Sequence, residues 1–193
     1  MLSNLEKYDI ILASQSPRRQ ELLKGLDIPF TIQVIDNIEE IYPTHLQGAD
    51  ISLYLAELKA SAYVDKMTDS TLLITADTIV WSEGEVLGKP ANMEEAKSML
   101  LRLSGKTHEV FTGVCIQTKQ QKVSFSAVSE VRFATLTEDE IDYYLQHYKP
   151  LDKAGAYGVQ EWIGYIAVEH IDGSYFNVMG LPIQRLYNEL KKF

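Results

Sequence analysis

Ile10-Ile11-Leu12-Ala13-Ser14-Gln15-Ser16-Pro17-Arg18-Arg19 is the stretch whose reading decides the fold. Its apolar run reads as a buried strand that passes directly into the first turn of a helix. Ser16 is a good N-cap, Pro17 suits the first helical position, Leu22 and Leu23 begin an apolar face, and Gly25 ends the helix. Two arginines then occupy the end of the helix where the dipole is positive and acidic side chains are favoured by about 0.3–1 kcal/mol each. Broken local rules concentrate at functional sites. Backbone N–H groups, a helix N-terminus and two guanidinium forks together make a receptor for an oxyanion, with phosphate the natural guest. Two solvated arginines tolerated at a helix end would be the plain structural reading of the pair alone.

Outward from this junction, 30–35 alternates loosely and reads as a strand leading into the acidic loop Asp36-Asn37-Ile38-Glu39-Glu40. Asp50 is placed to cap a helix carrying Ile51, Leu55, Leu58 and Ala62, with Lys59 at the edge of that stripe. The β-branched run 71–81 predicts a strand, and Glu83-Gly84-Glu85 a turn into Val86-Leu87, hence a hairpin. Asn92 with Glu95 marks the start of a helix through Ala96, Met99, Leu100 and Leu103, stopped by Ser104-Gly105. Two long strands are expected over 109–117 and 123–133, followed by a helix opened by the Thr137/Glu140 capping box and closed by Pro150. A glycine-punctuated segment then leads to a strand near 164–171, and Pro182 begins a terminal helix through Ile183, Leu186, Tyr187 and Leu190. Helices and strands alternate early while a hairpin and adjacent long strands come later, which predicts an α/β fold with a mixed twisted sheet flanked by helices. With no linker, repeat or low-complexity tract, 1–193 reads as one domain, with the two halves able to form lobes around a central cleft.

Composition narrows the partners. The net charge is −9, from 18 Lys and Arg against 27 Asp and Glu, so the overall field repels nucleic acid and anionic membranes. Any anion must be captured locally, which gives weight to Arg18, Arg19, Lys89 and Lys153. One cysteine, Cys115, cannot form an internal disulfide and suits a reducing cytoplasm, and no apolar segment is long enough to span a membrane. A soluble cytoplasmic protein is expected.

The second chemical signal is Ile74-Thr75-Ala76-Asp77-Thr78-Ile79-Val80, which sets a carboxylate inside an apolar strand. Burying an unpaired carboxylate costs several kcal/mol, so Asp77 must meet a cation, gain hydrogen bonds or hold a proton. Lys89, beyond the hairpin turn, is one basic group that the topology could return toward it. Glu39 and Glu40 offer oxygen ligands or a solvated acidic loop. Leu103-Ser104-Gly105-Lys106-Thr107 imitates the end of a phosphate-binding loop, but Leu100 stands where the earlier glycine is required. His45, His108, His147 and His170 show no zinc spacing, and no nucleophile elbow is present.

Four motifs then fall in order: Ser14-Gln-Ser-Pro-Arg-Arg; Ala76-Asp77-Thr78 with Gly88-Lys89-Pro90; Leu103-Ser-Gly-Lys-Thr-His108; and Asp152-Lys-Ala-Gly-Ala-Tyr-Gly-Val-Gln160. In these the chain resembles the Maf family of nucleoside triphosphate pyrophosphatases, from the first strand to Gly180-Leu181-Pro182. The resemblance implies an α/β fold of the inosine triphosphate pyrophosphatase type, a homodimer, and divalent-metal-dependent hydrolysis, with Mg²⁺ or Mn²⁺, of a nucleotide to its monophosphate and pyrophosphate. It implies base selection by Arg18, Thr78 and Gln160, a combination that looks like the branch acting on dTTP and UTP. A glutamine amide offers a donor and an acceptor together, as a uracil or thymine edge requires. It further implies Asp77 as proton acceptor or metal ligand, Glu39 or Glu40 as further metal ligands, and Ser14, Arg19, Lys59, Lys89 and Lys153 as phosphate-binding groups. Glu161 departs from the pattern, standing where the family often has glycine, and bears on the geometry beside Gln160. The alternatives are a 7-methyl-GTP pyrophosphatase of the same family and a nucleotide-binding regulator of septum formation.

Overall fold

The computed structural model describes residues 2–193. Its elements in chain order are β1 (Asp9–Leu12), α1 (Pro17–Lys24), β2 (Thr31–Ile32), α2 (Ala49–Ser61), β3 (Thr71–Ser82), β4 (Glu85–Leu87), α3 (Met93–Leu103), β5 (Thr107–Gln117), β6 (Lys122–Phe133), α4 (Glu138–Tyr148), α5 (Trp162–Ala167), β7 (Val168–Asp172), α6 (Tyr175–Val178) and α7 (Ile183–Leu190). Seven strands form one sheet in the order β2-β1-β3-β5-β6-β7, with β4 paired to β3. β1 runs parallel to β2 and β3, whereas β3–β4 and β6–β7 are antiparallel, so the sheet is mixed as the element pattern predicts. Among the described residues no helix is long and apolar enough to cross a membrane.

The chain divides into two compact units: 1–77, 112–127 and 180–193 form the first, and 78–111 and 128–179 the second. In the first, α2 lies on the sheet through Ile51, Leu55, Ala56 and Ala60, all buried. The close approach needs a glycine: a Cβ on Gly113 of β5 would lie 2.2 Å from the Ser52 carbonyl oxygen. Thr75 Oγ1 donates to the Ala56 carbonyl at 2.7 Å, tying β3 to the same helix. Ala56, Ala60, Tyr63, Met67, Leu73 and Cys115 form the apolar cluster beneath, so Cys115 is a packed core thiol.

In the second unit the turn Glu83-Gly84 has positive φ at both residues, 54° and 83°, the geometry that suits a two-residue hairpin. Asn92 accepts from the Glu95 amide and Thr137 with Glu140 completes a full capping box, so both helix starts fall where the sequence puts them. Lys97 of α3 reaches Asp142 of α4 at 2.8 Å.

Four local expectations change. The strand expected over 30–35 is only Thr31–Ile32, because Gln33 O and Ile35 N are taken by the Tyr63 hydroxyl, each at 2.9 Å, rather than by a strand. Asp50 lies inside the first turn of α2, and Gly48, at φ 48°, takes the cap position. Ser16 caps α1 only by conformation: its own hydroxyl makes no capping bond, and the neighbouring Ser14 hydroxyl accepts the Ser16 N–H. The strand expected over 164–171 begins as helix α5, because Ile163 and Ala167 share one buried helical face. Gly164 permits that turn, since a Cβ there would stand 1.9 Å from Val159 O.

Candidate active site

The first unit gathers an acid–base cluster just beyond the end of β1 and at the middle of β3. Asp77 is 7% exposed, buried as the strand pattern requires, and its cation is Lys59 of α2: Nζ donates to Oδ1 at 2.6 Å. The same ammonium lies 2.9 Å from Glu40 Oε1, on the loop after β2. Asp77 thus meets Lys59, where the hairpin pattern alone allows Lys89 as a partner. Lys59 follows the buried stripe Leu55-Ala56 by one turn, so its stem packs along apolar surface while its head reaches the carboxylates. Glu39 is exposed beside Glu40.

Arg19 closes the other side. Its Nε donates to Gly180 O at 2.8 Å and its Nη1 to Ala76 O at 2.9 Å, so the guanidinium stitches the first turn of α1 to the residue before Asp77 and to the approach to α7. Burial pulls the Arg19 guanidinium below its ordinary range, the charges of Asp77 and Glu40 oppose this, and Arg18 adds to it. Arginine nonetheless stays charged in proteins. Ser14 is buried, accepts the Ser16 N–H on Oγ at 3.2 Å, and accepts Gln20 Nε2 on its carbonyl at 3.1 Å. Two hydrogen bonds thus tie the strand-to-helix junction through Ser14, with Arg18 half-buried on α1 next to Arg19.

The remaining sequence-derived residues lie in the second unit. Thr78 is its first residue and half-buried. Lys89 is exposed, following Gly88, whose carbonyl accepts the Gly155 N–H at 3.1 Å. That bond lays the Gly88-Lys89-Pro90 segment beside the segment containing Lys153. Lys153 is buried between two carboxylates, Asp152 Oδ1 at 2.7 Å and Glu161 Oε1 at 3.0 Å. Gln160 is half-buried and precedes Glu161, whose Oε2 accepts the Tyr144 hydroxyl. Gly155 and Ala156 both hold positive φ, 68° and 59°, and for alanine that conformation costs about 1–2 kcal/mol. His108 is buried against Phe133 and Tyr157, its Nε2 2.8 Å from the Tyr157 hydroxyl, and burial lowers its pKa to about 4. It is a neutral core histidine. Sequence reading singles out Lys153 and Gln160 as candidates but has no way to see the Tyr144–Glu161 link, because the partners come from different elements.

The donor type, carboxylate oxygen, is the kind that a hard dication takes. Two carboxylates, Glu40 and Asp77, converge on one point of positive charge, the Lys59 ammonium. Among the described residues no group of three or more His, Cys, Asp or Glu could enclose a metal. One or two carboxylates are what Mg²⁺ takes from protein where phosphate oxygens and water complete the shell.

Comparison with known proteins gives the fold and the family. Across 96% of this chain and all of the other, the fold is similar to a HAM1 protein from Coxiella burnetii, with TM-score 0.51 and 17% identity, a likeness of architecture. Residues 9–193 match the Maf family model, described as Maf-like protein, and the chain belongs to that family. It is 61% identical over 192 residues to a Phocaeicola vulgatus protein and 60% identical over 193 residues to one from Parabacteroides distasonis. It is 57% identical over 192 residues to one from Bacteroides fragilis. All three are named dTTP/UTP pyrophosphatase, and each match covers 100% of both chains.

Proposed function

We propose that this protein hydrolyses dTTP and UTP to the nucleoside monophosphate and pyrophosphate. The observation that carries the reading is the buried Asp77, held with Glu40 on the Lys59 ammonium, in a chain whose full-length relatives carry that activity in their names. A carboxylate buried in a strand, paired with a lysine and sharing that lysine with a second carboxylate, is arranged to take a proton or to share a cation.

In the reaction, water adds to phosphorus as the bridging P–O bond between the α and β phosphates breaks. Asp77 accepts the proton of that water, and pyrophosphate leaves. Arg19, Lys59, Lys89 and Lys153 balance the charge on the phosphate oxygens, with Ser14 holding the α1 junction for them. Positioning and electrostatics carry most of the acceleration in phosphoryl-type transfer. A bound Mg²⁺ or Mn²⁺ would be held by Asp77 and Glu40, with Glu39 within the same loop, and would polarise the phosphoryl oxygens. Arg18, Thr78 and Gln160 select the base, the glutamine amide matching the donor and acceptor pattern of a pyrimidine imide. The enzyme works in the cytoplasm as a homodimer, without stable nucleic-acid or membrane partners.

A panel of dTTP, UTP, CTP, 7-methyl-GTP and inosine triphosphate, supplied with Mg²⁺ or Mn²⁺, tests this directly. Equal release of monophosphate and pyrophosphate from dTTP and UTP is expected. Release of orthophosphate, or preference for 7-methyl-GTP, would overturn the bond or the base assignment. Nucleotide binding without turnover would return the regulatory alternative.

A further inference from the structure

Glu161 sits at the start of α5, yet its side chain makes no capping bond to that helix. Both carboxylate oxygens are spent elsewhere. Oε1 takes the Lys153 ammonium at 3.0 Å, and Oε2 takes the hydroxyl of Tyr144, a fully buried side chain of α4. The same hydroxyl accepts the Gly158 N–H at 3.1 Å. Lys153, Gly158 and Glu161 belong to one segment, so Tyr144 and Glu161 together pin its beginning, middle and end. The carboxylate lies directly over Gly158, where a Cβ would come within 2.7 Å of Glu161 Cδ; the glycine makes room for it. Burial and the Glu161 charge raise the Tyr144 pKa well above its ordinary range, so the phenol keeps its proton and donates it.

We propose that Glu161 is a positioning residue, which with Tyr144 clamps the 153–161 segment and fixes the Lys153 ammonium relative to the Gln160 amide. The proposal rests on the reading that Lys153 meets phosphate and Gln160 meets the base. The other carboxylate on Lys153, Asp152, is its 65% exposed chain neighbour and is not braced by Tyr144, so it does not tie the flexible lysine stem to the Gln160 end of the segment. Held by the carboxylate that follows Gln160, the ammonium keeps a set spacing from that amide, so phosphate and base are engaged in one register. With glycine at 161 this tie does not exist.

The test uses Glu161→Gln, Glu161→Gly and Tyr144→Phe in the full-length protein, with dTTP and CTP kinetics, thermal unfolding and amide exchange at Gly158. Glu161→Gln keeps an oxygen for Tyr144 and drops the charge facing Lys153. It should raise KM for dTTP about tenfold with kcat within about twofold, because a charge-assisted hydrogen bond of this kind is worth about a factor of ten or more. Glu161→Gly should add a loss of the dTTP-over-CTP preference, and both Glu161→Gly and Tyr144→Phe should speed Gly158 exchange about tenfold or more. Native KM, preference and Gly158 exchange in both Glu161 variants would overturn the clamp. So would a fall in melting temperature with KM and preference unchanged, which would make Glu161 structural only. Should the native protein release no pyrophosphate from dTTP, the proposed function fails, and Gly158 exchange alone still decides the clamp: faster exchange in Glu161→Gly supports it and unchanged exchange overturns it.

Discussion

Each compact unit holds a lysine between two carboxylates, and the two clusters are built differently. In the first, Lys59 joins the exposed Glu40 to Asp77, a carboxylate buried within a strand. In the second, Lys153 is itself the buried member, flanked by exposed Asp152 and by Glu161, which a tyrosine also holds. In the first cluster the buried acid depends on the lysine; in the second the lysine depends on an acid that has other support. On the proposed function, the acid of the first cluster becomes available for chemistry when its lysine turns to phosphate. On the proposed clamp, the lysine of the second cluster is aimed by its braced acid.

The largest break in this comparison is Asp77→Asn. The amide keeps the size and much of the hydrogen bonding but cannot accept the proton, and general-base groups contribute about 10²–10⁴-fold. Turnover of dTTP should fall by about 10³-fold while the urea midpoint moves little, measured by pyrophosphate release and equilibrium unfolding on the same preparation. A folded variant with native turnover would remove Asp77 from the chemistry. Lys59→Met separates dependence from support. It leaves the buried Asp77 without its ammonium, a loss of about 3 kcal/mol in unfolding free energy, the low end for a broken buried pair because Arg19 lies in the same field. Lys153→Met leaves Glu161 still accepting from Tyr144, so urea denaturation should show a clearly smaller loss than for Lys59→Met.

His108 adds a pH axis confined to the second unit. Its folded pKa, about 4, lies below the ordinary 6.5, so the unfolded chain binds the extra proton first. Stability from this group is complete above about pH 6.5 and declines as pH falls toward 4, by up to about 3 kcal/mol. Urea midpoints from pH 4 to 7 should show this slope in the native protein and lose it in His108→Gln.

The sequence carries the elements that local chemistry decides. The β1–α1 junction, the Glu83-Gly84 hairpin and the Asn92 and Thr137 helix starts stand where turn and cap residues put them. It failed where tertiary partners override local pattern. The Tyr63 hydroxyl ends β2 early, and the burial of Ile163 and Ala167 on one face turns an apparent strand into α5. For the candidate site, the strand-borne Asp77 was legible as an acid needing a cation, because a carboxylate in an apolar strand is costly. Which cation was not legible: Lys59 reaches it from α2 across 18 residues of sequence. Glu161 was visible only as a departure from the family pattern, and its bond to Tyr144 of α4 depends on packing that spacing does not encode.

The smallest effects sharpen the comparison most, since they concern the outer carboxylate of each cluster. The Glu40 side chain is 45% exposed and that of Asp152 is 65% exposed, so water solvates both, and ion pairs of this kind contribute about 0–1 kcal/mol. Glu40→Gln and Asp152→Asn should therefore each shift the unfolding free energy by less than about 1 kcal/mol. Activity should split them. Glu40 shares its lysine with Asp77 and belongs to the pair that suits a dication, so Glu40→Gln should raise the Mg²⁺ or Mn²⁺ concentration needed for half-maximal turnover. Asp152→Asn should leave that requirement where it is, because Glu161 still holds Lys153. Equal metal dependence in the two variants would show that the first cluster is, like the second, only an arrangement for aiming a lysine.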